Sequence, residues 1–308
     1  MQQCEIVAMP HTPEWYAARN TKTPSEVIIG TSEIAAAAGL SPYQTPLELY
    51  LRKRGEMPQF EGNDSTRMGT LLEPVVKSEF CRITGITPID INPPMYRSIQ
   101  RTWMTATPDM IVTDTELGEV KTASWRMKSS WGEQDTDAIP DQYLCQTQWQ
   151  MAVMGAEFTA VHVPVLFDGF ETKIYRVDRN ELMIGFLIDA GQELWERIQN
   201  DDPPEPNWEH ESTPKLIREM HSEINGQVIE LDDITGDAWF TYEQLGAEIK
   251  ALEKRRERYK SEVLYAVGDN YAGDLGDGRI LRRKLIEKPG YPVGPSSYID
   301  FRAVNKPK

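Results

Sequence analysis

The hydrophobic pattern of the chain changes from a helical repeat to a two-residue repeat near residue 86. Segments of helical pattern come first, and strand-like segments such as ITPIDI, WMTATPDMIV, GEVKTAS, TAVHVPVLF and TKIYRV follow. One helical segment, IPDQYLCQTQWQMAVMG, is inserted among the strands. Helices followed by a hairpin-rich sheet that contains an inserted helix predict an α/β sandwich with a mixed sheet.

Capping residues mark the ends of the predicted helices. Ser32 is suited to the N-cap of SEIAAAAGL and Gly39 to its end, while Thr45 and Gly55 bound TPLELYLRKRG. A later core helix, DRNELMIGFLIDAGQELWERIQN, is expected to begin at an Asp178 cap.

A proline-rich, acidic stretch, NDDPPEPNWEHESTP, separates two parts of different character. Such a stretch is typical of a linker or of a segment that wraps around a core. We therefore predict a core domain of residues 1–205 and a C-terminal extension of residues 206–308. The extension contains a long charged helix and a glycine-punctuated hairpin, YAGDLGDGRILRRKLIEK.

The metal chemistry open to this chain is narrow. Three scattered cysteines and four histidines in 308 residues disfavour a disulfide framework, a zinc site or an iron–sulfur cluster. Any metal would be held by oxygen ligands, which favours magnesium, manganese or calcium. The chain has no run of 18 apolar residues and its first residues do not resemble a secretory signal, so we expect a cytoplasmic protein with no membrane association.

The net charge of -15 bears on nucleic-acid binding. It argues against a surface that is basic all over, because neutralisation of phosphates supplies most non-specific affinity for nucleic acid. A locally basic groove on an acidic protein remains compatible with it.

The segment TPDMIVTDTELGEVKTAS carries the acidic and basic residues of greatest interest. Glu119 and Lys121 alternate with Val120, so on a strand they share one face, and a hairpin turn would bring Asp109 opposite them. Two nearby carboxylates repel each other unless a cation lies between them, and the Val120 carbonyl would be a third oxygen ligand. The alternative is an exposed acidic hairpin, but the neighbouring residues are small and apolar.

Two predicted helices could add to this site. Glu73 lies among the apolar residues of MGTLLEPVVKSEF, where it is either a further carboxylate of the site or an exposed helix residue. Tyr143, Gln146 and Gln150 share a helix face through their three- and four-residue spacing. Their amides either contact water and phosphate without adding charge or form a polar stripe on the surface.

Six blocks, in this order, resemble the YqaJ-type viral recombinase family, which includes the lambda-type exonucleases of the PD-(D/E)XK nuclease superfamily. The blocks are WYAAR, IGTSEIAAAAGLSPYQTPLELY, MGTLLEP, TATPDMIV, GEVKTAS and YLCQTQWQM, between about Trp15 and residue 200. The resemblance implies a restriction-endonuclease-like core with a mixed central sheet flanked by helices. The C-terminal helix and β-hairpin form an extension that the minimal lambda-type enzyme lacks.

The resemblance also implies a function. It implies a Mg²⁺-dependent 5′-to-3′ exonuclease, with Mn²⁺ as a substitute, that degrades one strand of a duplex DNA end. The 3′ overhang would serve a single-strand annealing protein, in a bacterial host cell that carries a phage or prophage. Family members form closed homo-oligomeric rings around DNA, so a ring is expected here.

Roles for individual residues follow from the matching blocks. Asp109 and Glu119 would bind metal with the Val120 carbonyl, and Glu73 would join a second metal. Lys121 would contact the attacking water, and Gln146 would approach it from its helix. Arg19 and Ser32 match the positions that grip the 5′-terminal phosphate, for which a guanidinium and a hydroxyl are suited.

Two other functions remain open at the level of sequence. One is an endonuclease on the same fold, which would not need a free 5′-phosphorylated end. The other is a non-catalytic protein that binds DNA ends as a scaffold, although the intact Asp109, Glu119 and Lys121 speak against it. Basic residues of the extension, among them Arg255, Arg256 and Lys284, could contact DNA, a neighbouring subunit or a partner. The alternative for EKRRER is a solvated helix face with internal ion pairs.

Overall fold

Ten strands and eight α-helices are found in the described part of the chain. The computed structural model describes residues 3–21, 23–58, 62–134, 136–168, 170–283 and 285. The helices are α1 (Pro13–Arg19), α2 (Ile34–Ala37), α3 (Pro46–Arg54), α4 (Asp64–Thr84), α5 (Asp141–Met154), α6 (Glu181–Asn200), α7 (Thr213–Met220) and α8 (Asp233–Val267). The strands are β1 (Cys4–Ala8), β2 (Met95–Ser98), β3 (Thr105–Ala106), β4 (Met110–Thr113), β5 (Glu116–Gly118), β6 (Lys121–Ala123), β7 (Ala160–Phe167), β8 (Thr172–Asp178), β9 (Ala272–Asp274) and β10 (Ile280–Arg282).

The central sheet is mixed. Strand β7 pairs in parallel with β5 and with β6, and antiparallel with β8, while β4 pairs antiparallel with β5. Leu117 lies opposite Val161 and Lys121 opposite Val165, so β5 and β6 keep one register along the same edge of β7. A separate antiparallel sheet contains β1, β2 and β3 in that order.

Helices cover both faces of the central sheet. Alternate residues of β7 point to opposite sides, so each face has side chains for a helix to pack on. Val161, Val163 and Val165 lie in one buried cluster with residues of α5. On the opposite face, Val76 and Phe80 of α4 lie in another cluster with residues of β4 and β8. A mixed central sheet flanked by helices was the predicted fold class and is confirmed, as are the C-terminal helix and hairpin.

Tryptophans join the two helical layers next to the small sheet. Trp103 packs against Trp149 of α5 at a ring distance of 5.8 Å and stacks on Trp195 of α6 at 6.3 Å. Gly191 of α6 lets these rings approach the helix, since a Cβ there would lie 2.9 Å from the Trp103 ring. Helix α5 is thereby held between the sheets and α6.

Three local predictions are wrong. The segment ITPIDI forms no strand, only a single bridge between Asp90 and Ile111. Helix α6 begins after Asn180, whose side chain accepts a hydrogen bond from the Met183 N–H, because Asp178 still pairs within β8. Ser32 is not an N-cap: the cap position of α2 is Glu33, which makes no side-chain capping bond.

The chain divides into two compact units, Met1–His221 and Ser222–Lys308. The first reaches beyond residue 205 because Leu216 of α7 is buried in the same core cluster as Trp103 and Trp149. The proline-rich stretch wraps around this unit: His210 Nε2 lies 2.8 Å from the Ser41 carbonyl oxygen. The functional division into a core of residues 1–205 and an extension of residues 206–308 stays a prediction.

The second unit contains α8 and the hairpin of β9 and β10. None of the residues of α8 is buried within the described part of this unit. The rest of the predicted hairpin, including Lys284, lies outside the described residues. Among the described helices, none is long and apolar enough to cross a membrane.

Candidate active site

The hairpin of β4 and β5 fixes Asp109. The Asp109 N–H donates to the Gly118 carbonyl at 3.0 Å, so the two residues face each other at the open end of the hairpin. The Asp109 carboxylate in turn accepts a hydrogen bond of 2.7 Å from the Val120 N–H. The predicted approach of Asp109 to the Glu119–Lys121 segment is therefore present.

A break between β5 and β6 shapes the segment that carries Glu119 and Val120. The Glu119 N–H donates to the His162 carbonyl at 2.9 Å, as in a parallel ladder. The next bond would come from residue 164 of β7, but Pro164 has no N–H to donate. The predicted strand GEVKTAS is consequently divided in two, and Val120 packs into the cluster of Val76 and Phe80.

Glu119 is held at both carboxylate oxygens. Lys121 Nζ lies 2.6 Å from Oε1, and Gln150 Nε2 donates to Oε2 at 2.5 Å. Glu119 is only 7% exposed, so these contacts replace hydration that the carboxylate has lost. Its remaining lone pairs stay available to a cation, because an ionised carboxylate has about four acceptor sites.

Helix α5 contributes its amide face to this site. Lys121 Nζ also donates to Gln146 Oε1 at 2.7 Å and lies 4.9 Å from the centre of the Tyr143 ring. Gln146 and Gln150 are buried, so these amides do not form a surface stripe. Gln148 points elsewhere and bonds to the Asp178 carbonyl and the Asn180 N–H.

Glu73 enters from α4 as a half-buried carboxylate. It forms an ion pair of 2.6 Å with Lys77, one helical turn later, and Lys77 Nζ also donates to the Ile91 carbonyl at 2.7 Å. Glu73 lines the same cavity as Asp109 and Glu119. Lys77 therefore compensates the charge of Glu73 before any ligand binds.

The electrostatics of the site reflect crowded negative charge. Burial, the carboxylate of Glu119 and that of Glu73 together raise the pKa of Asp109 well above its ordinary range. Burial by itself lowers the pKa of Lys121, but Glu119 and Asp109 outweigh it and raise that pKa. The buried ammonium is thus kept charged by the carboxylates around it.

These residues fit a hard divalent cation. No three Asp, Glu, His or Cys side chains in the described ranges converge into a complete ligand set. Magnesium needs no such set, because it retains several waters and is usually bound through one or two carboxylates. The mutual repulsion of the buried Asp109 and Glu119, seen in the raised pKa of Asp109, is the electrostatic condition that a cation relieves.

Arg19 and Ser32 meet next to these carboxylates. Arg19 Nη2 donates to the Ser32 hydroxyl at 3.1 Å, and the guanidinium lies 4.5 Å from the centre of the Trp15 ring. Ser32 is free for this contact because it does not cap α2. Thr31, beside it, is buried and its hydroxyl has no hydrogen-bond partner in the described part of the chain.

All the predicted site residues except Val120 line a single cavity of about 230 Å³. Among the charged and polar residues that line it are Arg19, Ser32, Glu73, Asp109, Glu119, Lys121 and Gln146, together with Thr31 and Lys77. Val120 contributes only through its backbone next to Asp109. The structure thus brings the predicted residues together, while their roles remain to be tested.

Four residues support the site in ways that the sequence did not predict: Gln150 was recognised only as a member of the Gln146 helix face, and Lys77, Glu33 and Lys53 were not singled out. Gln150 orients Glu119, Lys77 pairs with Glu73, and Glu33 binds Lys53 at 2.8 Å while accepting the Gly30 N–H at 2.9 Å. The spacing of Gln150 from Gln146 was the one signal available, because four residues make one helical turn.

Residues 14–157 match the family model of the YqaJ-like viral recombinase domain. The resemblance found in the sequence is thereby confirmed.

Three known proteins are similar to this chain. The uncharacterized protein YqaJ of Bacillus subtilis (strain 168) is 24% identical over 261 residues, which are 84% of this chain and 81% of that protein. An alkaline exonuclease from Laribacter hongkongensis has 19% identity and a TM-score of 0.48 over 62% of this chain and 94% of its own. A phage related exonuclease from Haemophilus somnus has 14% identity and a TM-score of 0.45 over 57% of this chain and 96% of its own.

Proposed function

We propose that this protein is a metal-dependent deoxyribonuclease that degrades one strand of duplex DNA from its 5′ end. The observation that carries the proposal is the single cavity in which Asp109, Glu119 and Lys121 meet Arg19 and Ser32. Paired carboxylates with an ammonium suit phosphodiester hydrolysis, and a guanidinium with a hydroxyl suits a terminal phosphate. The family match of residues 14–157 supports the same class of activity.

Asp109, Glu119 and the Val120 carbonyl would hold Mg²⁺, with Mn²⁺ as a substitute, and Glu73 would assist at a second metal position. Magnesium, when bound, supplies a Lewis acid that polarises the phosphoryl oxygen and lowers the pKa of water. The break in the strand ladder at Pro164 supports this assignment, because it keeps the segment of Glu119 and Val120 from pairing regularly with β7.

Lys121 and Gln146 would act on the water and the phosphate. The Lys121 ammonium, held between Glu119 and Gln146, can donate to an attacking water or to a phosphoryl oxygen that gains charge. Gln146 accepts from Lys121 and so keeps the ammonium aimed into the cavity without adding negative charge.

Arg19 and Ser32 would set the polarity of degradation. A nuclease that anchors a 5′-terminal phosphate beside its catalytic carboxylates removes nucleotides in the 5′-to-3′ direction. The stacking of Arg19 on Trp15 supports this role, because it fixes the guanidinium plane while leaving donors for a phosphate.

The biological setting is proposed from the family resemblance. The 3′ overhangs would be passed to a single-strand annealing protein in the cytoplasm of a bacterium that carries a phage or prophage. A closed homo-oligomeric ring around the DNA would keep the enzyme on its substrate. The charge of -15 fits a protein that admits DNA only at a local groove.

The deciding experiment compares digestion of linear duplex DNA that carries 5′-phosphate or 5′-hydroxyl ends, with Mg²⁺ or with EDTA. We expect release of mononucleotides from phosphorylated ends in Mg²⁺ only. Lys121→Ala should lower the rate by a factor on the order of 10² to 10³, since it removes a donor aimed at developing charge.

The other outcomes select the other functions. Cutting of closed circular DNA would indicate an endonuclease instead. Binding of DNA ends without cutting, by a protein of unchanged circular dichroism, would indicate a scaffold. An equal rate on phosphorylated and hydroxyl ends would refute the role of Arg19 and Ser32 while leaving the nuclease activity intact.

A further inference from the structure

Helix α8 exposes an apolar stripe that is interrupted once, at Arg256. Tyr242, Leu245, Ile249, Leu252, Tyr259 and Val263 follow one another at steps of three, four, three, seven and four residues, and the step of seven spans Arg256. These six residues, which we call the α8 seam, are between 42% and 66% exposed. Steps of three and four residues define the a and d positions of a coiled-coil heptad. Most of the stability of a protein helix comes from packing of such a face, which α8 lacks within the described part of its own unit.

We infer that the α8 seam binds the α8 seam of a second copy of this chain, as an antiparallel two-stranded coiled coil centred between Ile249 and Leu252. This pairing concerns a surface of the C-terminal extension and is independent of the proposed nuclease activity. A two-fold pairing is self-complementary, so each contact occurs twice.

The charges that flank the seam choose the direction. In a parallel, in-register pair, Glu248 would face Glu253 of the other copy and Arg255 would face Lys260, because g positions meet e positions five residues on. Arg256 occupies the a position between Ile249 and Val263. In a parallel pair it would face Arg256 of the other copy. A parallel pair therefore places like charges together at each of these layers.

The same charges choose the register of the antiparallel pair. With Ile249 packed against Leu252 of the other copy, Glu248 lies beside Arg255 of that copy, twice by symmetry. Tyr242 then packs on Tyr259, and Arg256 lies opposite Leu245, where its aliphatic stem can cover the seam. A shift by one heptad would bring Arg255 against Arg255 and Glu253 against Glu253, so only the first register gains attraction.

Glu248 and Arg255 are available for this contact. The ion pairs formed within α8 in the described residues join Arg258 to Glu262 and Lys260 to Glu257, and they leave Glu248 and Arg255 out. Both residues are exposed.

The test measures the mass of the intact protein in solution by sedimentation velocity and light scattering. We expect Ile249→Glu/Leu252→Glu to lower the mass at least twofold, whatever ring the nuclease core forms. Ala247→Glu, on the outer face of the same helix, is the matched control and should keep the wild-type mass. Equal masses for wild type and the double variant would overturn the inference.

Charge exchange tests the direction and register. Glu248→Arg alone and Arg255→Glu alone each place like charges together twice, so each should raise the dissociation constant of the α8 pair about tenfold. An equimolar mixture of the two variants restores both attractive pairs and should regain the wild-type affinity. If Glu248→Arg instead strengthens association, the pair is parallel and the inferred geometry is wrong.

Discussion

The carboxylate of Glu119 is oriented by one charged and one neutral donor. Lys121 approaches Oε1 and Gln150 approaches Oε2, at 2.6 and 2.5 Å. A second lysine in place of Gln150 would compete with a cation for the carboxylate, whereas an amide fixes its orientation and leaves its charge intact. Gln150 is fully buried, so its position is set by packing of α5 rather than by solvent.

Gln150→Leu tests this orienting role. Loss of the donor frees one oxygen of Glu119, and we expect the nuclease rate to fall roughly 10- to 100-fold, as for residues that orient metal ligands. The Mg²⁺ concentration for half-maximal rate should rise with it. Both quantities are measured in a Mg²⁺ titration of the rate on linear duplex DNA.

The matched control is Gln148→Leu, two residues away on the same helix. Gln148 bonds to the Asp178 carbonyl and the Asn180 N–H, so its loss should cost about 1–3 kcal/mol of stability and leave the Mg²⁺ dependence unchanged. If both variants changed the Mg²⁺ dependence equally, Gln150 would act only through the stability of α5.

At this scale the sequence predicted part of the site. Asp109, Glu119 and Lys121 could be brought together from one hairpin, because the contacts are local in sequence. Gln150 and Lys77 could not be assigned, since whether a helix face is buried depends on elements far along the chain. Ser32 was predicted as a cap from residue type alone, but Glu33 bonds to Gly30 instead and leaves the hydroxyl to Arg19.

At the scale of elements, a largely buried ion pair connects the start of α2 with α3. Lys53, 3% exposed, binds Glu33 at 2.8 Å, and Glu33 also accepts the Gly30 N–H. Glu33 follows Ser32 in the chain, and Lys53 Nζ lies 3.5 Å from the Arg19 carbonyl oxygen. The pair therefore holds the two halves of the proposed phosphate site at a fixed separation.

Breaking this pair should destabilise the protein. Glu33→Gln leaves the Lys53 ammonium buried without a counter-charge, and we expect a loss of about 3 kcal/mol in the free energy of unfolding. Glu33→Gln/Lys53→Met removes both charges and should recover most of that loss. Urea unfolding followed by circular dichroism measures the free energy of unfolding of wild type and both variants; no recovery in the double variant would show that the unpaired Lys53 ammonium is not the source of the loss.

The same pair makes stability depend on pH. Burial alone would raise the pKa of Glu33, but Lys53 and Arg19 outweigh it and hold that pKa below its ordinary value. The stabilisation is therefore complete above the unfolded pKa of about 4.3 and is lost as the pH falls through the lower folded pKa. Between about pH 5 and pH 3, wild type should lose more stability than Glu33→Gln; parallel pH profiles in urea unfolding would contradict this.

Packing of α6 on the tryptophans can be tested with two glycines of one helix. A Cβ on Gly191 would lie 2.9 Å from the Trp103 ring and 3.1 Å from that of Trp149, so Gly191→Ala should cost about 1–3 kcal/mol. Gly185 is exposed and has open space, so Gly185→Ala should stabilise by about 0.5–1 kcal/mol. Thermal unfolding gives both signs, and a stabilising Gly191→Ala would mean that the rings can move apart.

The helix ends were well predicted where a glycine adopts positive φ, as at Gly39 and Gly55. The strands were predicted less well, because a strand is defined by its partner. WMTATPDMIV is divided between two sheets, as β3 and β4, and ITPIDI has no partner beyond one bridge. GEVKTAS is interrupted through Pro164, a residue more than forty positions away in sequence.

At the scale of the whole molecule, the two units differ in how they are stabilised. Every predicted site residue lies in Met1–His221, which holds the buried clusters of the described chain. Residues 222–232 carry no helix or strand and are exposed throughout. The unit Met1–His221 therefore has the buried core that it needs to stay folded after a cut in this segment.

Limited proteolysis tests this independence. A protease that cuts after glutamate should act first at Glu223 or Glu230, because an exposed segment without secondary structure fits a protease best. The N-terminal fragment retains α7, whose Leu216 is buried in the core, and should keep the thermal transition and the nuclease rate of the intact chain. A truncation at residue 205 serves as the comparison and should unfold at lower temperature, since it removes that contact. If the longer fragment kept its fold but no longer cut DNA, the C-terminal extension would contribute directly to the reaction, and the site would have to be completed by residues beyond His221.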